Sequence, residues 1–139
     1  MAAGFRLTAP RTSDEDDIQR AIVKYLRHVL PAGFVVQSTA NKPRSAVAGA
    51  REKSMGAVAG WPDLAVYGQA EDEKPTAWFI EVKASAGRLS DVQHEVHDRL
   101  KLAGFSVAVA RSVDDVRDLV GAWGLPSRDI TIAKSEPQA

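Results

Sequence analysis

Asp63, Glu81 and Lys83 are the residues whose types and spacing could do chemistry. Asp63 follows Gly60-Trp61-Pro62, and Glu81 and Lys83 break the apolar run Trp78-Phe79-Ile80-Glu81-Val82-Lys83. Side chains alternate along a strand, so Phe79, Glu81 and Lys83 share one face while Trp78, Ile80 and Val82 share the other. A carboxylate and an ammonium on such a face are costly unless they are paired or used. If the stretches around Asp63 and Glu81 form a hairpin turning near residue 72, the two acids are equidistant from the turn and stand opposite each other, with Lys83 adjacent. Two carboxylates that close repel unless a proton or a cation intervenes. A hard divalent ion such as Mg2+ takes one or two carboxylates and keeps waters for a substrate phosphate. Such a centre polarises a phosphodiester and activates water, and Lys83 could orient that water or stabilise charge on a phosphorane-like transition state. Glu81-x-Lys83 by itself reads as an ordinary Lys–carboxylate bridge at a strand end. Pro62-Asp63 at hairpin register is what turns the reading towards catalysis.

The elements that must position these groups follow from periodicity and caps. From Ser13, the residues Ile18, Ile22, Val23, Leu26, Val29 and Leu30 recur at helical spacing, and Pro31 and Gly33 stop the helix. Ser13 or Asp14 serves as its N-cap, with Glu15, Asp16 and Asp17 at the positive end of the dipole. Phe34 to Asn41 reads as a first strand, and Asp63 to Tyr67 and Thr76 to Lys83 as a second and third joined by an acidic loop. Residues 42–60 show no sustained period, and so long a connection is usually functional or disordered. Ser90 with Gln93 forms a capping-box pattern that starts a helix ending at Gly104. Ser106 to Ala110 is a fourth strand. Ser112 caps a last helix with Val113, Val116, Leu119 and Val120 on its inner face, and Asp129 to Ala133 reads as a short edge strand. Strand, helix, strand makes a crossover unit, so the third and fourth strands should be parallel if they are neighbours. The expectation is an α/β domain, a mixed sheet with helices on its faces. Residues 1–12 read as a flexible leader, 13–124 as the domain and 125–139 as a C-terminal extension.

Composition narrows the class. A chain of 139 residues, 45% hydrophobic and 26% charged, suits one globular core. Without cysteine neither a disulfide framework nor a thiolate zinc site is possible, and three histidines are too few and too widely set for an all-His centre. No apolar run approaches the roughly 20 residues of a membrane span, and Met1 to Pro10 lacks the apolar core of a signal peptide, so a cytoplasmic location is expected. Lys plus Arg and Asp plus Glu are both 18, which argues against bulk electrostatic coating of nucleic acid. The charge is uneven, however. Lys42, Arg44, Arg51 and Lys53 face the single acid Glu52 in their segment, which reads either as a solvated loop or as a grip on phosphates.

Pro62-Asp63 followed by Glu81-Val82-Lys83 resembles the signature of the PD-(D/E)XK nuclease superfamily. The fuller string, Met55-Gly56, Ala59-Gly60-Trp61-Pro62-Asp63-Leu64, Glu81-Val82-Lys83-Ala84, Gly87-Arg88-Leu89-Ser90 and Gln93, resembles its VRR-NUC family over roughly residues 13–124. Gly104 and Arg111-Ser112-Val113-Asp114-Asp115 continue the match. The resemblance implies a restriction-endonuclease-like three-layer core in the order helix, three strands, helix, strand, with a C-terminal helix added. It also implies an Mg2+- or Mn2+-dependent phosphodiesterase with Asp63, Glu81 and the Val82 carbonyl as metal ligands and Lys83 as the catalytic lysine. Glu15, four residues before Gln19, fits the glutamate of the family's first helix, although three neighbouring acids compete for that part. Gln93 matches a glutamine of the helix after the catalytic strand, reaching Lys83 or the bound phosphate, or else it merely completes the Ser90 cap. Small stand-alone members are often viral, from phage, and act as homodimers on branched DNA such as four-way (Holliday) junctions. A branched-DNA endonuclease working as a homodimer is therefore implied, with flaps or DNA ends, or a non-catalytic DNA-binding or assembly module, as the alternatives.

Other side chains carry less. Arg88, in the turn before the second helix, is either a phosphate contact or a surface residue. Trp61 either stacks on a base or covers the end of the sheet, and Trp78 and Trp123 pack. His94 and His97 lack the i, i+4 spacing of a metal pair and read as surface or packing residues, with His97 on the same face as Gln93.

Overall fold

The computed structural model describes residues 13–39 and 45–132. Helix α1 spans Ser13–Val29, β1 Val35–Ser38, α2 Ala46–Ser54, β2 Leu64–Gln69 and β3 Pro75–Val82. Then come α3 (Asp91–Leu102), β4 (Ser106–Ala110) and α4 (Val113–Ala122). The strands form one sheet in the order β1-β2-β3-β4. β1, β2 and β3 run antiparallel to their neighbours, and β3 and β4 are parallel, as the crossover through α3 requires.

Each face of the sheet is covered by helix, giving three layers. On one face Trp78, Ile80 and Val82 of β3 and Leu64 and Val66 of β2 pack against Ile22 and Leu26 of α1 and Val116 and Val120 of α4. Phe34 stacks on Trp78 with ring centroids 6.2 Å apart. On the other face Ala65, Ala77, Phe79 and Val107 meet Val96 and Leu100 of α3. The period of two along β3 thus feeds two separate cores, and Glu81, in phase with Phe79, falls on the α3 side. The hairpin register is the one that centres on residue 72. Leu64 pairs with Ile80, so one residue further on Asp63 and Glu81 stand opposite.

Three boundaries differ from expectation. Residues 46–54 form α2, capped by Ser45, whose hydroxyl accepts from the Ala48 N–H at 3.1 Å. None of its residues is buried, so it has no apolar stripe for periodicity to find; the cap and the alanines of Ala46-Val47-Ala48-Gly49-Ala50 are the local causes. β1 ends at Ser38, short of the expected Asn41, which lies outside the described residues. Residues 129–132 form a turn and not the expected edge strand. Asp129 bonds the N–H and hydroxyl of Thr131 at 2.9 and 2.6 Å, and this local loop competes with any ladder. Residues 125–132 still pack onto the domain: Leu125 is buried and the Arg128 N–H donates to the Val29 carbonyl at 2.8 Å. The leader 1–12 and the tail beyond 132 lie outside the described residues. Among those described, no helix is long and apolar enough to cross a membrane.

Candidate active site

Asp63 is delivered by a loop that has little freedom. Gly60 has φ +79°, a left-handed value that glycine adopts without cost, and a Cβ there would stand 2.7 Å from the Val92 carbonyl oxygen at the start of α3. Pro62 is fully buried. Thr39, just past β1, donates its hydroxyl to the Pro62 carbonyl and its N–H to the Asp63 carbonyl, the latter at 2.9 Å. Asp63 itself is buried, 8% exposed, and its Oδ2 accepts the Val82 N–H at 2.8 Å. A charge-assisted bond of that length fixes the carboxylate against the end of β3.

Glu81 is more deeply placed, at 2% exposure. The Gln93 side-chain Nε2 donates to Glu81 Oε1 at 3.2 Å, while Gln93 Oε1 accepts the Ser90 N–H at 2.9 Å. The Ser90 hydroxyl completes the box by accepting the Gln93 N–H at 3.2 Å. The cap reading of Gln93 is realised, and the other end of the same amide meets Glu81, a partner not expected from the sequence. One turn further along, His97 is 4% exposed with its Nε2 3.7 Å from Glu81 Oε1. Burial pushes the His97 imidazole below its ordinary value, helped by Lys101 and His94 and opposed by Asp98 and Asp63. The contact is thus between a carboxylate and a neutral ring, and His97 Nε2 has no hydrogen-bond partner.

Lys83 and Glu15 share the neighbouring corner. Beyond β3 the chain turns through residues 84–87, and a Cβ added at Gly87 would lie 3.3 Å from Lys83 Cδ and 3.4 Å from Glu15 Oε1. The Ala84 N–H points to Glu15 Oε1 at 3.4 Å. Arg111 pins this turn from the end of β4, donating Nη1 to the carbonyls of Ala84 and Gly87 at 2.6 and 2.7 Å. Arg88 is exposed between that turn and the Ser90 cap. Arg51 and Lys53 are exposed in the last turn of α2, and Lys42 and Arg44 lie outside the described residues. Trp61 sets its edge on Phe79 at 5.5 Å, covering the α3-side core while remaining 36% exposed.

Asp63, Glu81, Lys83, Gln93 and Glu15 thus converge at one end of the β2–β3 hairpin. Among the described residues no group of three or more His, Cys, Asp or Glu side chains is arranged to enclose a metal. Two acids at opposed positions of the hairpin are instead the hard, incomplete oxygen set that suits a divalent ion sharing its remaining positions with water and phosphate. Two residues of this neighbourhood escaped sequence reasoning. His97 carried one available signal, its i, i+4 relation to Gln93. Arg111 carried none, because a guanidinium bonding main-chain carbonyls far back in the chain leaves no spacing to read.

The comparisons with known proteins agree on the fold. One solved structure, a VRR_NUC domain protein, superposes with a TM-score of 0.63 at 19% identity over 89% of this chain and 93% of that one. A second, a VRR_NUC domain, does so with a TM-score of 0.50 at 23% identity over 78% and 96%. No curated protein sequence matches the chain. Residues 13–114 match the sequence model of the VRR-NUC domain. That match runs from the first helix, through both hairpin acids, to the start of the last helix, and it makes the chain a member of the VRR-NUC family, a nuclease by domain type.

Proposed function

We propose that the protein is a divalent-metal-dependent DNA endonuclease that cuts branched DNA such as four-way junctions. One observation carries this reading: two buried acids, Asp63 and Glu81, stand at opposed positions at the end of the hairpin, each held by a hydrogen bond from a different part of the fold. Asp63, Glu81 and the Val82 carbonyl are the proposed ligands of Mg2+ or Mn2+. When bound, such an ion supplies Lewis acidity towards the phosphate and lowers the pKa of a coordinated water. The chain's own part is to hold the ligands, to exclude bulk water behind Phe79 and Trp61, and to set the Lys83 ammonium against charge developing on the phosphate. Glu15 and the Lys83 stem both border Gly87, and Glu15 is the proposed partner that holds the ammonium in place.

DNA is the expected substrate of the family's domain type. The branched form and a homodimer belong to the proposal, supported by the geometric advantage of two sites on a two-fold axis cutting paired strands symmetrically. Exposed Arg51 and Lys53, with Lys42, Arg44 and Arg88, are the proposed phosphate contacts. Purified protein with Mg2+ or Mn2+ and a panel of labelled four-way junction, flap, nicked and linear DNAs tests it. Cleavage of the junction should stop with chelator and return with added metal, and equal cutting of linear duplex would remove the branched-DNA preference. Reversing Arg51 and Lys53 to glutamate should weaken binding several-fold at low salt and flatten the dependence of log K on log salt, since each lost phosphate contact removes about 0.9 from the slope.

A further inference from the structure

His97 is a buried polar side chain that the proposed chemistry does not use. It sits 4% exposed on α3, with a ring nitrogen that lacks a hydrogen bond. A buried polar atom in that condition is costly, and a leucine or phenylalanine at the same place would avoid the cost. Its Nε2 is directed at Glu81 Oε1 from 3.7 Å, a little too far for a bond, on the same oxygen that Gln93 Nε2 already holds at 3.2 Å. Gln93 and His97 are one helical turn apart, so α3 brings two side-chain nitrogens in series towards one carboxylate oxygen. A sub-ångström shift of either group would close the second bond.

We infer that His97 is a positioning residue for the metal-binding carboxylate: its Nε2–H is the second donor to Glu81 Oε1 and, with Gln93, sets the plane of the Glu81 carboxylate relative to Asp63. This rests on the reading of Glu81 as a metal ligand. A carboxylate with one free torsion at its end must be held from behind if it is to offer a cation a defined direction, and such supporting bonds are worth about 10–100-fold in metal affinity.

The test is Mn2+ binding to the DNA-free full chain, followed by loss of the free-ion electron paramagnetic resonance signal, with thermal melting as the check on folding. His97→Leu, similar in volume but without a donor, should weaken Mn2+ at least about 10-fold. His97→Gln, which can carry an amide N–H to the same oxygen, should restore binding to near the wild-type value. Should the leucine variant fail to fold, His97→Asn, too short to reach Glu81, replaces it under the same criterion. Leu or Asn variants that bind Mn2+ as the wild type does would overturn the inference. A glutamine variant as weak as leucine would overturn it too, assigning the loss to the imidazole itself. Failure of the parent reading has a separate signature, Glu81→Gln binding Mn2+ unchanged, and that result takes the inference with it.

Discussion

Asp129 and Glu81 are both carboxylates drawn out of water, but one is clamped and the other is aimed. The Asp129 side chain, 9% exposed, accepts from Tyr25 Oη at 2.6 Å, from Arg117 Nε at 2.9 Å, and from the Thr131 N–H and hydroxyl. Arg117 is held in turn by Asp114 and lies over the Tyr25 ring, 5.4 Å from its centroid. The Thr131 hydroxyl, Tyr25, Arg117 and the Thr131 N–H hold the Asp129 carboxyl well below the usual carboxylate range, in that order of effect. Burial and the Asp129 bond push the Tyr25 phenol up, against the pull of Arg117. On Glu81 an amide of α3 donates at 3.2 Å, and an imidazole nitrogen of the same helix stands 3.7 Å away. Charge-assisted, converging bonds tie residues 129–131 to α1 and α4 and serve folding, whereas the 3.2 Å contact from the Gln93 amide directs the Glu81 carboxyl group from one helix. The difference separates a polar cluster that joins elements from one that prepares a site.

The sharpest way to break this comparison is Glu81→Gln. The isosteric amide keeps an acceptor for Gln93 and loses the charge, so single-turnover cleavage should fall on the order of 10^3-fold. Because a buried charge is removed, melting should stay level or rise. A slow, strongly destabilised variant would place Glu81 with the structural cluster instead. Asp129→Ala should do the opposite. It leaves Tyr25 and Arg117 without their shared acceptor and lowers the Tm by several degrees, while the cleavage rate well below that temperature stays at the wild-type value. An activity loss without a Tm change would merge the two clusters.

The smallest effect lies in the pH dependence of stability. A depressed carboxyl contributes stability above the usual carboxylate range and loses it as pH falls towards its folded value. A raised phenol contributes below the ordinary tyrosine range and loses it as pH climbs through that range. The wild type should therefore shed part of its stability at both extremes, and Asp129→Asn should flatten both limbs of Tm against pH. Unchanged limbs would remove the clamp.

Much of the fold was legible because it rests on local rules. The period of 3.6 in α1, the period of two in β3 and the serine caps of α3 and α4 are each written within one turn or one strand. The hairpin register was legible as well: a short acidic loop leaves β2 and β3 little choice, so Leu64 against Ile80 puts Asp63 beside Glu81. α2 was not, since a helix with no buried residue shows no stripe, and neither was the turn at 129–132, whose apolar Ile130 and Ile132 imitate a strand while Asp129 bonds locally. At the site the direction of Gln93 stayed open between the Ser90 cap and Lys83 or a phosphate, because one amide has two ends and the sequence shows the partner of neither.

By itself the amino-acid sequence determined which elements form, which face of β3 carries Glu81 and Lys83, and that the two hairpin acids meet. These follow from short-range sterics and from alternation, which any residue shares with its neighbours in the chain. Only the tertiary structure decided that α3 lies over Glu81 with Gln93 and His97 inward, that Glu15 meets the turn after Lys83, and that Arg111 pins this turn. Those contacts join segments remote in the chain, and their geometry depends on how helices settle on a sheet to bury apolar area. The side chains brought together in this way contribute little to the burial that drives the packing.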